Sequence, residues 1–266
     1  MISSGNDAEL CQIAATDGHE EFNVYVIPQN GITPEASAVN KLTVMHGVCY
    51  YERRPVKAFN LTEALAQFLT WLNKIVPCIL LAHNAKNFDA KHLMKALALC
   101  NNEVEFCQMI IGFPDTLPAF RELFPDRRSF SQENLAKDLI DSTYDAHNAL
   151  GGVQMLHKLS SQFIGDQLLL KHSFSTSWFQ EYTIFLEQKR ENLLILQPLL
   201  LSKAVSKEIA DKVAASGLQL QHFLLVHQRE GSDGISNVVM EKFKGKRRVT
   251  ANKRVIRNIC NFLQTR

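Results

Sequence analysis

"LLAHNAKNFDAKHL", residues Leu80–Leu93, passes from apolar residues through a polar turn into a helix-forming segment. With the preceding "PCI", the apolar run from Pro77 stops at His83 and Asn84 and predicts a buried strand; "FDAKHLMKALALC" after it predicts a helix. His83, Asn84 and Asp89 then stand at the carboxyl end of a parallel-type strand, where open α/β sheets bind ligands. An acidic residue at a helix start also has a plainer role as a cap or dipole partner.

The neighbouring segments keep the alternation. Upstream, "NLTEALAQFLTWLNKI" sets Leu61, Leu65, Phe68, Leu69 and Leu72 on one helical face, with Asn60 and Glu63 in capping-box spacing. Further upstream, "AELCQIAA" and "EFNVYVIP" flank "TDGHE", whose Asp-Gly predicts the turn of a β-hairpin that ends at Pro28. Downstream, "VEFCQMIIGF" predicts another strand, followed by short helices at Leu117–Leu123 and Glu133–Ile140. In "PDTLP", Asp115 reads better as the N-cap of the helix at Leu117 than as a catalytic group. The pattern is that of an α/β layer fold through about residue 165.

Beyond residue 165 the chain predicts helix throughout. "STSWFQEYTIFLEQKRENLLIL" has apolar residues at three- and four-residue steps, Pro198 interrupts, and "SKEIADKVAASGL" has a Ser N-cap at Ser206 and a Gly C-cap at Gly217. That segment also resembles a helix-hairpin-helix element, although capping explains it more simply. "REGSDGIS" predicts a loop. Domains are therefore expected at residues 1–165 and 166–266.

An apolar fraction of 46% over 266 residues suits a domain that buries a core. Six cysteines without a C-x-x-C pair, most of them in apolar runs, favour reduced thiols over a disulfide frame or zinc site, and hence an intracellular compartment. "MISSGNDAEL" has no basic n-region or apolar h-region, and no apolar run reaches membrane-spanning length. A soluble, non-secreted protein with no membrane partner is expected. His92, His157, His222 and His227 share no metal spacing and read as ordinary histidines.

Charge is uneven. Residues 242–266 hold nine Lys or Arg and no Asp or Glu, so that tail carries +9 and the preceding residues −7, within a net +2. In "KFKGKRRVTANKR", Lys246, Arg247 and Arg248 are candidate nucleic-acid contacts; few aromatics accompany them, so phosphate contact or nuclear import is favoured over base stacking. A solvated basic surface with no partner is the plainer alternative.

"YDAHNALGGV", residues Tyr144–Val153, adds a His before a helical repeat. With this stretch, the order of elements and the "HN…FD" junction resemble the DEDDh 3′-to-5′ exonucleases of the ribonuclease H-like fold. From about Ala8 to Leu263 the chain is more closely similar to the exonuclease-like C-terminal domain of promyelocytic leukaemia protein and its relatives. "DAELCQIAA", "VYVIP", "GFPDTLPAFRELFP", "SFSQENLAKDL", "YDAHNALGGVQML", "LQPLLLSKAVSKEIADKVAASGL" and "VTANKRVI" carry that similarity, in order.

The resemblance implies a mixed sheet with flanking helices, then a smaller all-helical domain. It implies a reaction in which two Mg²⁺ or Mn²⁺ ions, about 3.5 to 4 Å apart, clamp a phosphodiester at a single-stranded DNA or RNA end. Hard cations take oxygen ligands, so the family uses four carboxylates and a His general base. Asp89 matches the third carboxylate, His147 the base, and Asn84 belongs to the junction facing the nucleic acid. The departures are large. A D-x-E strand should precede "GNDAELCQIAA", so the first strand and its two carboxylates are expected to be missing, and the fourth position is Gly152. Asp7 and Glu9 lie on the wrong side of the turn to replace them. Three of four ligands are absent, leaving Asp89 as a remnant insufficient for two ions.

Two readings stay open: a catalytically degraded, exonuclease-like nucleic-acid-binding or interaction protein, or an active exonuclease whose D-x-E strand is not in this chain. Nucleic acid and nuclear proteins are the expected partners. Mg or Mn is expected only for the active form, and a nuclear location is favoured over a cytoplasmic one. An unpaired "AELCQIAA" edge is expected to invite pairing with another chain.

Overall fold

The computed structural model describes residues 9–243 and 245–265. The chain divides into two compact units, residues 1–177 and 178–266. The first is mixed α/β and the second mainly helical.

The first unit opens with the predicted hairpin, β1 (Gln12–Thr16) antiparallel to β2 (Glu21–Val26). Its turn is closed by the Asp17 carboxylate, which accepts from His19 N at 2.8 Å and Glu20 N at 2.7 Å, while Gly18 takes φ +91°. After α1 (Pro34–Asn40), capped by Thr33, the strands β3 (Leu42–Met45), β4 (Val48–Tyr51) and β5 (Arg54–Val56) form an antiparallel meander. Their short, mixed-polarity segments gave no clear period-two signal in the sequence. Then β6 (Ala58–Phe59) pairs parallel to β2.

The capping box is present on α2 (Leu61–Leu72), where Asn60 Oδ1 accepts from Glu63 N at 2.9 Å and Glu63 reaches back to Asn60 N. The helix buries Phe68 and Trp71 against Phe22 of β2, with ring centroids 5.3 and 5.8 Å apart. Offset aromatic pairs of this kind add about 0.5 to 1.5 kcal/mol to their burial.

Two segments differ from expectation. "PCILLAHN" is strand only at β7 (Cys78–Ile79), with a further parallel bridge from Ala82 to Asp115, and Ile79 is 46% exposed. Among the described residues β7 has a strand partner on one side only, and this apolar run is not the buried strand that its sequence predicts. Helix α3 (Asp89–Leu99) follows as expected. "VEFCQMIIGF" is split: its first part lies in α4 (Glu103–Met109) and only β8 (Ile110–Pro114) is strand, parallel to β7. Glu103 and Glu105 sit in the first turn of α4, where the helix dipole favours them, and Phe106 is its fully buried anchor.

The unit continues with α5 (Thr116–Leu123), α6 (Gln132–Ile140), α7 (Ala149–Phe163), α8 (Asp166–Lys171) and β9 (Ser173–Ser175), the last antiparallel to β8. Phe120, Leu135 and Leu159 form a fully buried core between α5, α6 and α7. Gly112 lets β8 approach β9, since a Cβ there would stand 2.5 Å from Phe174 O.

Helix α9 (Thr176–Ile195) crosses the boundary between units. The second unit then holds α10 (Gln197–Leu201), α11 (Lys207–Ala215), α12 (Leu220–Met240), the two-stranded β10 (Lys242–Phe243) and β11 (Lys246–Arg247), and α13 (Lys253–Gln264). Pro198 opens α10, where its missing N–H costs nothing, and Ser206 caps α11. "REGSDGIS" is not a loop: α12 runs through it, broken only at Gly231 (φ 61°, ψ −143°). The two arms pack closely there, for a Cβ on Gly234 would meet Val226 Cγ1 at 2.8 Å. Leu196, Leu199, Phe223, Ile235 and Val239 are fully buried in this unit, and Ile256, Ile259, Cys260 and Leu263 from one face of α13 are buried in the same core.

Candidate functional site

The β7–α3 and β8–α5 turns are bound to each other through backbone and side chain together. Asp115, 6% exposed, accepts from Asn84 N at 2.9 Å, Leu117 N at 3.0 Å and Lys86 N at 3.3 Å. It caps α5 and holds the "HN" turn, so the capping role expected of it is what the geometry displays. Asn84 takes φ +63°, a conformation Asn tolerates well, and its Oδ1 accepts from Asn87 Nδ2 at 2.8 Å.

His83 is committed at both nitrogens. Nε2 lies 2.8 Å from the Phe130 carbonyl and must donate to it, which leaves Nδ1 to accept from Thr116 Oγ1 at 2.9 Å. Burial depresses its pKa, and the Phe130 bond only partly offsets that. The folded protein therefore resists protonating a ring that the unfolded chain protonates near pH ~6.5, so stability falls as pH drops through that range. Urea unfolding at neutral and mildly acidic pH should show this loss in the wild type and less of it in His83→Gln.

Asp89 begins α3, exposed to solvent yet recessed among protein atoms. That crowding pushes its carboxyl up to about 6, and the nearby Asp115 charge adds in the same direction. His147 stands in an exposed turn, two residues before α7 rather than on it, its N–H donating to Asp145 Oδ1 at 3.2 Å. No hydrogen bond or ion pair joins Asp89 to His147.

The turn carrying His147 is anchored from two sides, and sequence reading missed both anchors. Gln12 of β1 bonds Asn148 Oδ1 at 3.3 Å and accepts from Ala149 N at 3.0 Å. Asp145 accepts from Tyr51 Oη and from Lys41 Nζ at 3.1 Å, tying the β3–β5 meander to the same turn. These contacts lower the Asp145 pKa, the Tyr51 bond contributing most; the pKa of Lys41 is raised, first by its bond to Glu52 and then by that to Asp145. Asp145 was legible in "YDAHNAL"; its partners lie about a hundred residues away in sequence, where no pattern marks them.

The two glycines after "YDAHNAL" differ. A Cβ on Gly151 would stand 3.1 Å from Asp145 O, so Gly151 admits the turn. A Cβ on Gly152 would meet nothing within 4 Å.

The donor set does not fit a pair of hard cations. Among the described residues no group of three His, Cys, Asp or Glu could hold a metal ion. Asp115 spends its oxygens on backbone N–H groups, and Glu9 is engaged by Asn30 through backbone and side chain. Asp7 lies outside the described residues.

In the second unit the basic candidates separate. Lys246 and Arg247 are exposed on β11, and Lys253, Arg254 and Arg257 are exposed on α13 opposite its buried face. Arg248 is instead turned inward: its guanidinium lies 2.7 Å from Glu241 and 3.2 Å from Ser216 O, bracing the hairpin against the end of α11. No helix among the described residues is long and apolar enough to cross a membrane.

Comparison with known proteins agrees with the resemblance read from the sequence. Residues 7–138 match the family described as Exuperantia RNAse H-like domain, and residues 192–266 match PML, C-terminal domain. Protein PML of Homo sapiens is 25% identical over 182 residues, which is 67% of this chain and 19% of that protein. The chain thus spans about a fifth of the relative's length. Together these matches support an exonuclease-like, PML-related domain.

Proposed function

We propose that the chain is an exonuclease-like module that binds nucleic acid or nuclear protein partners without hydrolysing phosphodiester bonds. The observation that carries this reading is Gly152, at the fourth carboxylate position, where packing leaves room for an acid and the chain supplies none. Among the described residues the carboxylate that acts on Asp89 is Asp115, and it is committed to backbone N–H groups. Two hard cations require several anionic oxygens to displace their water, and Mg or Mn is needed only by an active form. In this reading Asn84 in the turn before α3 and the exposed His147 before α7 contact nucleic acid, and the basic hairpin with Lys246 and Arg247 supplies phosphate contacts. A nuclear location is part of the same proposal, with the 242–257 cluster as import signal. The organisation into residues 1–165 and 166–266, and a ribonuclease H-like sheet lacking its first strand, belong to it as well.

The test is release of nucleotides from single-stranded DNA and RNA in Mg²⁺ or Mn²⁺. Release at the level of buffer alone is expected, with or without His147→Ala. Metal-dependent release that His147→Ala abolishes would overturn the proposal in favour of an active exonuclease.

A further inference from the structure

Helix α13 places its cations where folding gains nothing from them. Lys253 and Arg254 occupy its first turn and Arg257 its second, all three exposed, while no acid stands in the first turn and no cation in the last. The helix dipole disfavours positive charge at that end, and cations three or four positions apart repel, as Arg257 does with Arg254 and Lys253.

Elsewhere in the second unit such costs are offset, for Lys189 pairs with Asp211, Lys212 with Glu208 and Arg248 with Glu241. Among the described residues no ion pair engages the three cations of α13, nor Lys246 and Arg247 of β11, and residues 242–266 contain no acid. Hairpin and helix are also held close together. The link between them buries Val249 in the same core as Ile256, and Val249 N donates to Val239 O at 3.1 Å. The electrostatic complement of this surface is a polyanion from outside the chain.

The rest of the exposed face says which polyanion. Lys253, Arg257, Asn261 and Gln264 form one stripe along α13, clear of the buried Ile256, Ile259 and Leu263. These are the side-chain types that bond base edges in the major groove of DNA, Arg and Lys on guanine, Asn and Gln on adenine. The stripe is about 16 Å long, the rise of about five base pairs. No aromatic residue lies on it, so single-stranded bases find nothing to stack on. A B-form major groove admits a helix, whereas that of duplex RNA is too narrow to be read. The helix N–H groups are not the site, because Asn252 Oδ1 already accepts from Arg254 N at 3.0 Å and Val255 N at 3.4 Å.

Resting on the reading that the chain binds nucleic acid, we propose that α13 is a recognition helix for double-stranded DNA. Its Lys, Arg, Asn and Gln face enters the major groove, and Lys246 and Arg247 fix it on the flanking phosphates.

The test incubates the full chain with a library of short DNA duplexes randomised at their centres and sequences those retained. Enrichment of a motif about five base pairs long is expected. By fluorescence anisotropy the enriched duplex should bind at least about tenfold more tightly than its single strands or the RNA duplex of the same sequence. Asn261→Ala or Gln264→Ala should cut discrimination at one position of the motif by about fivefold or more. Lys253→Glu with Arg254→Glu should weaken binding at least about tenfold, yet melt no lower than wild type, since acids in the first turn suit the helix dipole. Absence of enrichment, or a motif unaltered by both Asn261→Ala and Gln264→Ala, would overturn the proposal. Binding of single strands in preference to duplexes would overturn it and spare the functional reading, whereas failure to bind any nucleic acid would remove both.

Discussion

Asp115→Ala lowers the unfolding free energy of the first unit by about 3 to 5 kcal/mol, because one buried carboxylate is the acceptor for three backbone N–H groups from two turns. A hydrogen bond to a charged group is worth about 1.5 to 3 kcal/mol, and an orphaned buried donor costs a similar amount. The total falls short of three such penalties because the turns relax and admit water. Asp115→Asn keeps an acceptor oxygen for Asn84 N and Leu117 N but can present an amide N–H₂ to Lys86 N, so about 1 to 2 kcal/mol is expected. Urea unfolding followed by near-ultraviolet signal checks both. A loss below about 1 kcal/mol for the alanine variant would mean that the two turns are held apart from Asp115.

Replacing Lys246 and Arg247 together by Ala removes two exposed cations from β11 and should flatten the dependence of log affinity for single-stranded DNA on log salt by about 1.4. Thermal stability should hardly move, since both side chains lie in solvent. Arg248→Ala should behave oppositely. It breaks the Glu241 pair and the bond to Ser216 O, and is expected to cost about 1 to 2 kcal/mol, most of it from the carbonyl bond because the ion pair is partly solvated. The salt slope should stay close to that of the wild type. Fluorescence titrations at three salt concentrations, with melting curves on the same samples, separate the two behaviours. Equal slopes for the wild type and the double variant would remove β11 from the nucleic-acid proposal.

These contrasts mark where sequence reading succeeded and where it stopped. Local codes were legible. The Asp-Gly turn, the Asn60–Glu63 box, the Ser206 cap and the amphipathic α2 each depend on residues a few positions apart. Short apolar runs were ambiguous for the same reason: "VEFCQM" satisfies strand propensity, but Phe106 finds a core position in a helical turn, stacked on Phe113 with centroids 6.2 Å apart. "REGSDGIS" has loop composition, yet two of its glycines serve a break and a close approach within one helical element.

At the site, Asp89, His147, Asn84 and Asp115 were all singled out from their motifs. Long-range partners were not: Gln12 on Asn148, Tyr51 and Lys41 on Asp145, and the His83 bond to Phe130 O join segments whose spacing carries no period. Charge counting treated Lys246, Arg247 and Arg248 as one cluster. Only geometry shows that the third is a brace.

Gly152 has a thermodynamic consequence as well as a chemical one. It is the fourth residue of α7, inside the first turn, where an aspartate would interact favourably with the helix dipole and lose less chain entropy than glycine on folding. Helix propensity alone makes Gly→Asp stabilising by about 0.3 kcal/mol, and the dipole adds about as much. Folding therefore gives glycine no advantage at this position. An acid could return to residue 152 without loss of stability, so the absence of that acid is a property of the sequence that the architecture does not impose.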